Sequence, residues 1–184
     1  MSVAITTPAD TMPISLPEAR EHLRIDGTFE DSYLEALIAS ATDHVEKYCG
    51  RSFTEQGLTL YLDAFADEMQ LPRGPISAIT GITYYDANNA LQTLPTSVYD
   101  ADLISDPAVV ALAFNQAWPT TYSRRNAVRI AYTTAATVPD AVKMAIKLIM
   151  GQWFEMRSAV SDKIVYEIPN GIAALLANHR SYGF

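Results

Sequence analysis

Residues 31–62 read DSYLEALIASATDHVEKYCG followed by RSFTEQGLTLYL, and the spacing of the apolar positions changes within this stretch. In its first part Leu34, Leu37, Ile38, Ala41, Val45 and Tyr48 fall at i, i+3, i+4, i+7, i+11 and i+14, one face of an α-helix that Gly50 is placed to end. From Thr54 the repeat shortens: Leu58, Leu60 and Leu62 alternate with Thr59 and Tyr61, as in a half-buried strand. A long amphipathic helix that runs straight into strand periodicity predicts a mixed architecture.

Upstream, residues 1–14 are small, polar and proline-bearing (Pro8, Pro13), and read as a flexible arm without structure of its own. Ser15-Leu16-Pro17-Glu18 has the S-x-x-E form of a capping box and predicts a short helix to about Arg24. Asp26-Gly27 breaks it, and Thr28-Phe29-Glu30-Asp31 supplies an N-cap and two acids for the long helix.

Downstream, further strands are predicted at Glu68 to Leu71, Ile79 to Tyr85, Ala90 to Leu94, Val98 to Ala101 and Val128 to Tyr132, with Val109 to Phe114 a further candidate. Turn chemistry separates them at Arg73-Gly74-Pro75, Asp86-Ala87-Asn88-Asn89 and Ser105-Asp106-Pro107. Ile79 to Leu94 reads as a hairpin and Ala117 to Asn126 as a loop around Trp118-Pro119. Thr137-Val138-Pro139-Asp140 opens a second long helix with Val142, Ala145, Ile146, Ile149, Trp153 and Met156 on one face. Ser158 to Glu167 reads as loop or extended chain, and Pro169-Asn170-Gly171 precedes a short apolar helix using Ile172, Leu175 and Leu176. The expected fold is α+β: a small helical bundle of two long and two short helices with a small antiparallel sheet inserted at about residues 54–133.

Composition narrows the function. With 184 residues, 49% hydrophobic and 18% charged, the chain is expected to be a soluble globular protein of one domain, since a single core is sustainable up to roughly 250 residues. Its longest strongly apolar runs, Ala108 to Phe114 and Leu148 to Gly151, fall far short of the roughly 20 residues that span a bilayer. No membrane role is expected, and the first fourteen residues, without Lys or Arg, do not read as a secretory leader. A net charge of −8 argues against a protein that wraps nucleic acid, which needs a dense Lys/Arg face. Residues 1–106 carry 17 acidic and 5 basic side chains, whereas residues 107–184 carry 4 acidic and 8 basic. Two readings of that asymmetry stand: chance composition of particular loops, or an acidic surface on one copy that meets a basic surface on the next.

Enzyme chemistry has few starting points. His22, His44 and His179 form no metal-binding or catalytic pair, no serine sits in G-x-S-x-G, and glycine is too dispersed for a phosphate loop. Cys49, near a helix end without an identifiable base, reads as a packing residue, as do Tyr48, Trp153 and Phe154. The candidate for a metal is the run from Asp100 to Asp106, where Asp100, Asp102 and Asp106 could supply oxygen ligands to a metal-dependent hydrolase. An EF-hand-like loop starting at Asp100 would want Gly and Glu where the chain has Ser105 and Ala111, so a solvated acidic loop is preferred and no cofactor or metal is expected. Arg124, Arg125 and Arg129, flanked by Tyr122 and Tyr132, could grip phosphate or an acidic protein surface through bidentate contacts, or form a solvated loop and strand edge.

The order of these pieces carries a resemblance. Ile14-Ser15-Leu16-Pro17-Glu18-Ala19-Arg20-Glu21-His22-Leu23-Arg24 leads into a helix ending Val45-Glu46-Lys47-Tyr48-Cys49-Gly50-Arg51. Leu71-Pro72-Arg73-Gly74-Pro75-Ile76 then precedes a Tyr-bearing hairpin, the Trp118-Pro119 loop, Val128-Arg129-Ile130-Ala131-Tyr132 and a helix opened by Val138-Pro139. The end reads Ile168-Pro169-Asn170-Gly171-Ile172-Ala173-Ala174-Leu175-Leu176-Ala177-Asn178-His179-Arg180. Over about residues 12–180 this series resembles the head-to-tail connector, or adaptor, family of tailed bacteriophages and gene transfer agents, in particular members with a β insertion between their helices. Where such members commonly carry glycine after the strand matching Val128 to Tyr132, this chain has Thr133-Thr134-Ala135-Ala136.

The resemblance implies a non-enzymatic virion protein, located in the neck and assembled in the host cytoplasm. It implies a ring, expected to be a dodecamer, that sits under the portal protein, joins the DNA-filled head to the tail and extends the DNA channel. A downstream stopper or tail-completion protein is the further partner, and DNA is only passing cargo. Another virion ring component, a stopper or tail terminator, is the alternative. In this frame residues 15–184 form one connector domain with a docking segment at about 168–184. Arg124, Arg125, Arg129, Leu175, Leu176, His179, Arg180, Tyr182 and Phe184 are the candidate contacts with a neighbour or the portal.

Overall fold

The computed structural model describes residues 1–156 and 170–181. The elements in chain order are β1 (Ser2–Thr7), α1 (Leu16–Leu23), α2 (Asp31–Cys49), β2 (Gly57–Leu62), β3 (Glu68–Leu71), β4 (Ile76–Tyr85), β5 (Leu91–Thr93), β6 (Tyr99–Asp102), β7 (Ala108–Leu112), β8 (Val128–Thr134), α3 (Asp140–Met156) and α4 (Asn170–Leu176). The expected α+β class, with two long and two short helices and antiparallel strands between the long pair, is what the chain adopts. The fold separates into two compact units. One contains Met1–Asp10, Ser52–Thr137 and, of the last residues described, Ser181; the other contains Thr11–Arg51 and Val138–Arg180.

In the helical unit, α1 begins with the expected capping box. The Ser15 hydroxyl accepts from the Glu18 N–H at 3.4 Å, and the Ser15 N–H donates to Glu18 Oε2 at 2.9 Å. Ile14 and Ala19, the residues before the cap and at the fourth helical position, are both buried, the positions a hydrophobic staple uses. The expected apolar face of α2 is buried at Leu34, Leu37, Ile38, Ala41 and Val45, and α3 packs against it through Val142, Ala145, Ile146 and Ile149. The expected Thr28 cap is not made: Glu30 occupies the N-cap position of α2 and its side chain does not cap the helix, and the Asp31 N–H instead donates to the Thr28 carbonyl. Gly50 ends α2 as expected, in the left-handed conformation at φ 66°.

The β unit holds a five-stranded antiparallel sheet in the order β1-β2-β8-β4-β5 and a three-stranded one in the order β3-β7-β6. Both sheets contribute to one core, with Leu58, Leu60, Ile82, Val128, Ile130 and Tyr132 from the larger and Met69, Leu71, Ala108 and Val110 from the smaller. The alternation along β8 puts Val128, Ile130 and Tyr132 into that core and Arg129 on the opposite face. β8 continues past Tyr132 to Thr134. That side chain is fully buried, accepts from the Gln56 N–H at 2.9 Å and donates to the Thr54 carbonyl at 2.7 Å. The hydroxyl thereby ties the last residue of β8 to the segment that enters β2.

Residues 1–14 are not structureless throughout, which corrects the sequence expectation. Residues 2–7 form β1 on the free edge of β2, in register from Ser2 opposite Tyr61 to Ile5 opposite Leu58 and, after a shift, with Thr7 opposite Gly57. The order comes from backbone pairing: apart from half-buried Val3, every side chain in β1 is exposed, so hydropathy carries no trace of it. The reading of Ser158 to Glu167 as loop or extended chain falls outside the described residues.

Candidate functional site

The basic residues singled out from sequence gather at one end of the larger sheet. Arg129 stands on β8 between Tyr61 of β2 and Thr83 of β4, its direct cross-strand partners. Its Nη2 donates to the Tyr85 hydroxyl at 3.2 Å, and its guanidinium lies 5.8 Å from the Tyr61 ring centre and 5.3 Å from that of Tyr85. Arg124 covers the Tyr85 ring at 4.0 Å and donates from Nη1 to Asn89 Oδ1 at 3.0 Å. Tyr85 is therefore held by two guanidinium groups, an arrangement favoured by the electrostatics of the aromatic face.

The surrounding loops are fixed by backbone bonds. The Tyr122 N–H donates to the Tyr85 carbonyl at 3.0 Å, and the Asn126 N–H donates to Asp63 Oδ1 at 2.8 Å. Asn89 and Asn126, at φ 61° and 56°, adopt the left-handed conformation that Asn tolerates better than most residues. The β4–β5 turn is closed by Asp86, whose carboxylate accepts from the Ala90 and Asn88 N–H groups and from the Gln92 amide. Led by the Ala90 bond, these contacts hold it below the usual carboxylate range. Arg124 and Arg125 are exposed beside an open depression of about 490 Å³ that Tyr122, Ser123, Thr121, Ala64 and Asp63 also line. A guanidinium group held at such a rim as Arg124 is suits paired contacts to carboxylates.

At the other group of candidates the outcome is mixed. Leu176 is fully buried and Leu175 half-buried, and α4 packs against α3. Leu176 is thus packed within the helical unit. His179 is half-buried in the helical turn that follows α4, and Arg180 is exposed, its guanidinium 4.8 Å from the Tyr48 ring centre. Tyr182 and Phe184 lie outside the described residues.

In the acidic loop Asp102 bonds within its own turn. Asp102 Oδ1 accepts from the Ile104 N–H at 2.9 Å and the Ser105 N–H at 3.1 Å, while Oδ2 accepts from the Ser105 hydroxyl. These bonds, the Ser105 hydroxyl first, keep the carboxyl ionised to lower pH than usual. Among the described residues no three His, Cys, Asp or Glu side chains converge where a metal ion could sit. Cys49 is buried, and burial pushes its thiol up to about 11, so it stays protonated at neutral pH. The Trp118-Pro119 loop is anchored by a parallel stack of Trp118 on Phe65 at 4.7 Å, with Tyr84 edge-on to Phe65 at 5.6 Å.

Sequence reasoning found the arginines but not their frame. Tyr85, Tyr61, Asn89 and Asp63 reach the site through cross-strand register and the β4–β5 turn. The signal available was the alternation in Ile79 to Tyr85 and Leu58 to Leu62, which fixes the face of each tyrosine once the register is known.

A family model described as phage gp6-like head-tail connector protein matches residues 13–105. No curated protein matches the chain. Among solved structures, a chain in the neck of an empty gene transfer agent particle computed with C6 symmetry is similar at a TM-score of 0.79 and 20% identity, over 98% of this chain and 96% of that one. A chain of a native gene transfer agent virion gives 0.78 at 21% identity, over the same shares of the two chains. A chain in the neck of a native particle computed with C12 symmetry gives 0.69 at 24%, with the same coverage. These likenesses extend the shared fold across nearly the whole chain, beyond the matched residues.

Proposed function

The chain belongs to the phage gp6-like head-tail connector family, and from that premise we propose that it is a structural component of a virion neck, a ring that sits under the portal, joins the DNA-filled head to the tail and continues the DNA channel. The observation that carries this reading is the family match over residues 13–105. The fold shared with chains of gene transfer agent necks computed with C6 and C12 symmetry supports a ring, and twelve copies is the number we adopt.

The chemistry is compatible with each part. A closed ring uses heterologous contacts, in which two different surfaces of one subunit meet. A net charge of −8 suits a channel that must pass DNA without holding it, since an acidic wall repels phosphate. Arg124 and Arg125, with Arg129 behind them, serve as contacts to a neighbouring protein, and Arg180 with the chain beyond it serves the portal. No step of this role needs catalysis. Its partners are further copies of itself, the portal and a downstream tail-completion protein.

Light scattering tests the reading. The purified chain mixed with its portal should give a complex with about one copy per portal subunit, as a ring matched to the portal requires. A chain that ignores the portal and binds a tail tube instead would make it a tail terminator.

A further inference from the structure

The depression beside Arg124 and Arg125 has an open rim with two guanidinium groups, and Asp63 in its lining accepts from the Asn126 N–H; the same unit carries a more acidic surface. The turn between β6 and β7 projects Ile104, which is 98% exposed, and around it Asp100, Asp102 and Asp106 are all exposed. Asp102 fixes the shape of this tip through its bonds to Ile104 and Ser105, so the tip is presented already folded. A fully exposed isoleucine on an ordered, acidic turn offers an apolar contact that no described residue of its own chain covers.

The two surfaces lie at opposite ends of the β unit. Asp106 lies against Gly74, where an added Cβ would be 3.5 Å from Asp106 Oδ1, and Gly74 comes just before β4. Arg124 stacks on Tyr85, the last residue of β4. Ten residues of strand, with two register shifts against β8, separate these points, up to roughly 30 Å at the usual rise per residue. One copy cannot satisfy its own depression with its own tip. The arrangement instead suits a head-to-tail contact, in which each copy offers a tip to one neighbour and a depression to the other.

We propose that the β6–β7 tip of one copy seats in the Arg124–Arg125 depression of the next, with Ile104 against Tyr122 and Ala64 and the tip carboxylates facing the two guanidinium groups. Charge complementarity selects this occupant: the tip and Arg124 are held in place before they meet, and opposite charge steers their encounter. Tyr122, 45% exposed, supplies the apolar area on the receiving side. The inference rests on the ring reading above and names the contact that would build the ring.

Cross-linking within the full chain tests it. Ile104→Cys and Ser123→Cys are introduced together and singly, the native Cys49 being buried, and rings assembled on the portal are treated with a short bismaleimide. The double variant should give a ladder of covalent multimers, and each single variant should remain monomeric. Adding Arg124→Glu and Arg125→Glu to the double variant should reduce the ladder about tenfold or more, since like charges then face each other. A ring that assembles normally but yields no ladder, or that links the tip to the portal or to another tip, overturns this inference and leaves the ring reading standing. A chain that forms no ring by light scattering overturns both.

Discussion

Thr134 shows how much one hydroxyl can hold in this fold. It is fully buried and serves at once as acceptor for the Gln56 N–H and donor to the Thr54 carbonyl. Thr134→Val keeps the shape and leaves both backbone groups without this hydroxyl, so urea denaturation should show a loss of about 1–3 kcal/mol; an unchanged midpoint would mean the hydroxyl is not needed there. Glu18 makes a prediction in pH. Hydrogen bonds from Ser15, the backbone N–H first, lower its carboxyl below the ordinary value, and Lys147 adds an ion pair at 3.6 Å. A lowered folded value means that its stabilisation is present above the ordinary glutamate range and is lost as pH falls through the lowered one. The stability gap between the wild-type chain and Glu18→Ala should therefore be larger at pH 7 than at pH 3. An equal gap at both would assign the effect to packing. Ser15, Glu18 and the inward side chains of β8 were legible because local spacing determines their roles. Thr134 was not, because its partners lie about eighty residues away in sequence.

Among elements, β1 meets β2 at one point too close for any added atom. At Gly57 an added Cβ would lie 2.9 Å from both Cβ and Oγ1 of Thr7, closer than real side chains come. Gly57→Ala should push the end of β1 away from β2. Backbone amides of residues 3–7 should then exchange faster while the β2–β8 and β8–β4 pairs stay protected. Undiminished protection of β1 would show that the strand can shift to accept the methyl group. The elements read most accurately from sequence, α2, α3, β3 and the β4–β5 hairpin, are those whose apolar period or turn residues are local. β1 escaped because its order comes almost wholly from backbone pairing with residues fifty or more positions away. The site divides along the same line: alternation in β8 puts Arg129 on the outer face, but only the β4–β8 register brings Tyr85 beneath Arg124 and beside Arg129.

At the scale of the molecule, the charge asymmetry along the chain takes on a spatial form within the β unit. The basic residues after position 107 include the arginines of the depression, and the acids before it include Asp100, Asp102 and Asp106 at the far end. Composition could suggest that unlike surfaces meet, but only the topology separates them along β4, the geometry that a heterologous ring contact needs and a two-fold dimer does not. Membership of the head-tail connector family rests on residues 13–105, and the likeness in fold runs over 98% of the chain. The measurement that tests the central claim most directly is an averaged electron-microscopy reconstruction of the particles that contain this protein. The account predicts a ring of copies between portal and tail, with the five-stranded sheet recognisable in every subunit. Density for the chain at the far end of the tail, or its absence from the neck, would contradict it.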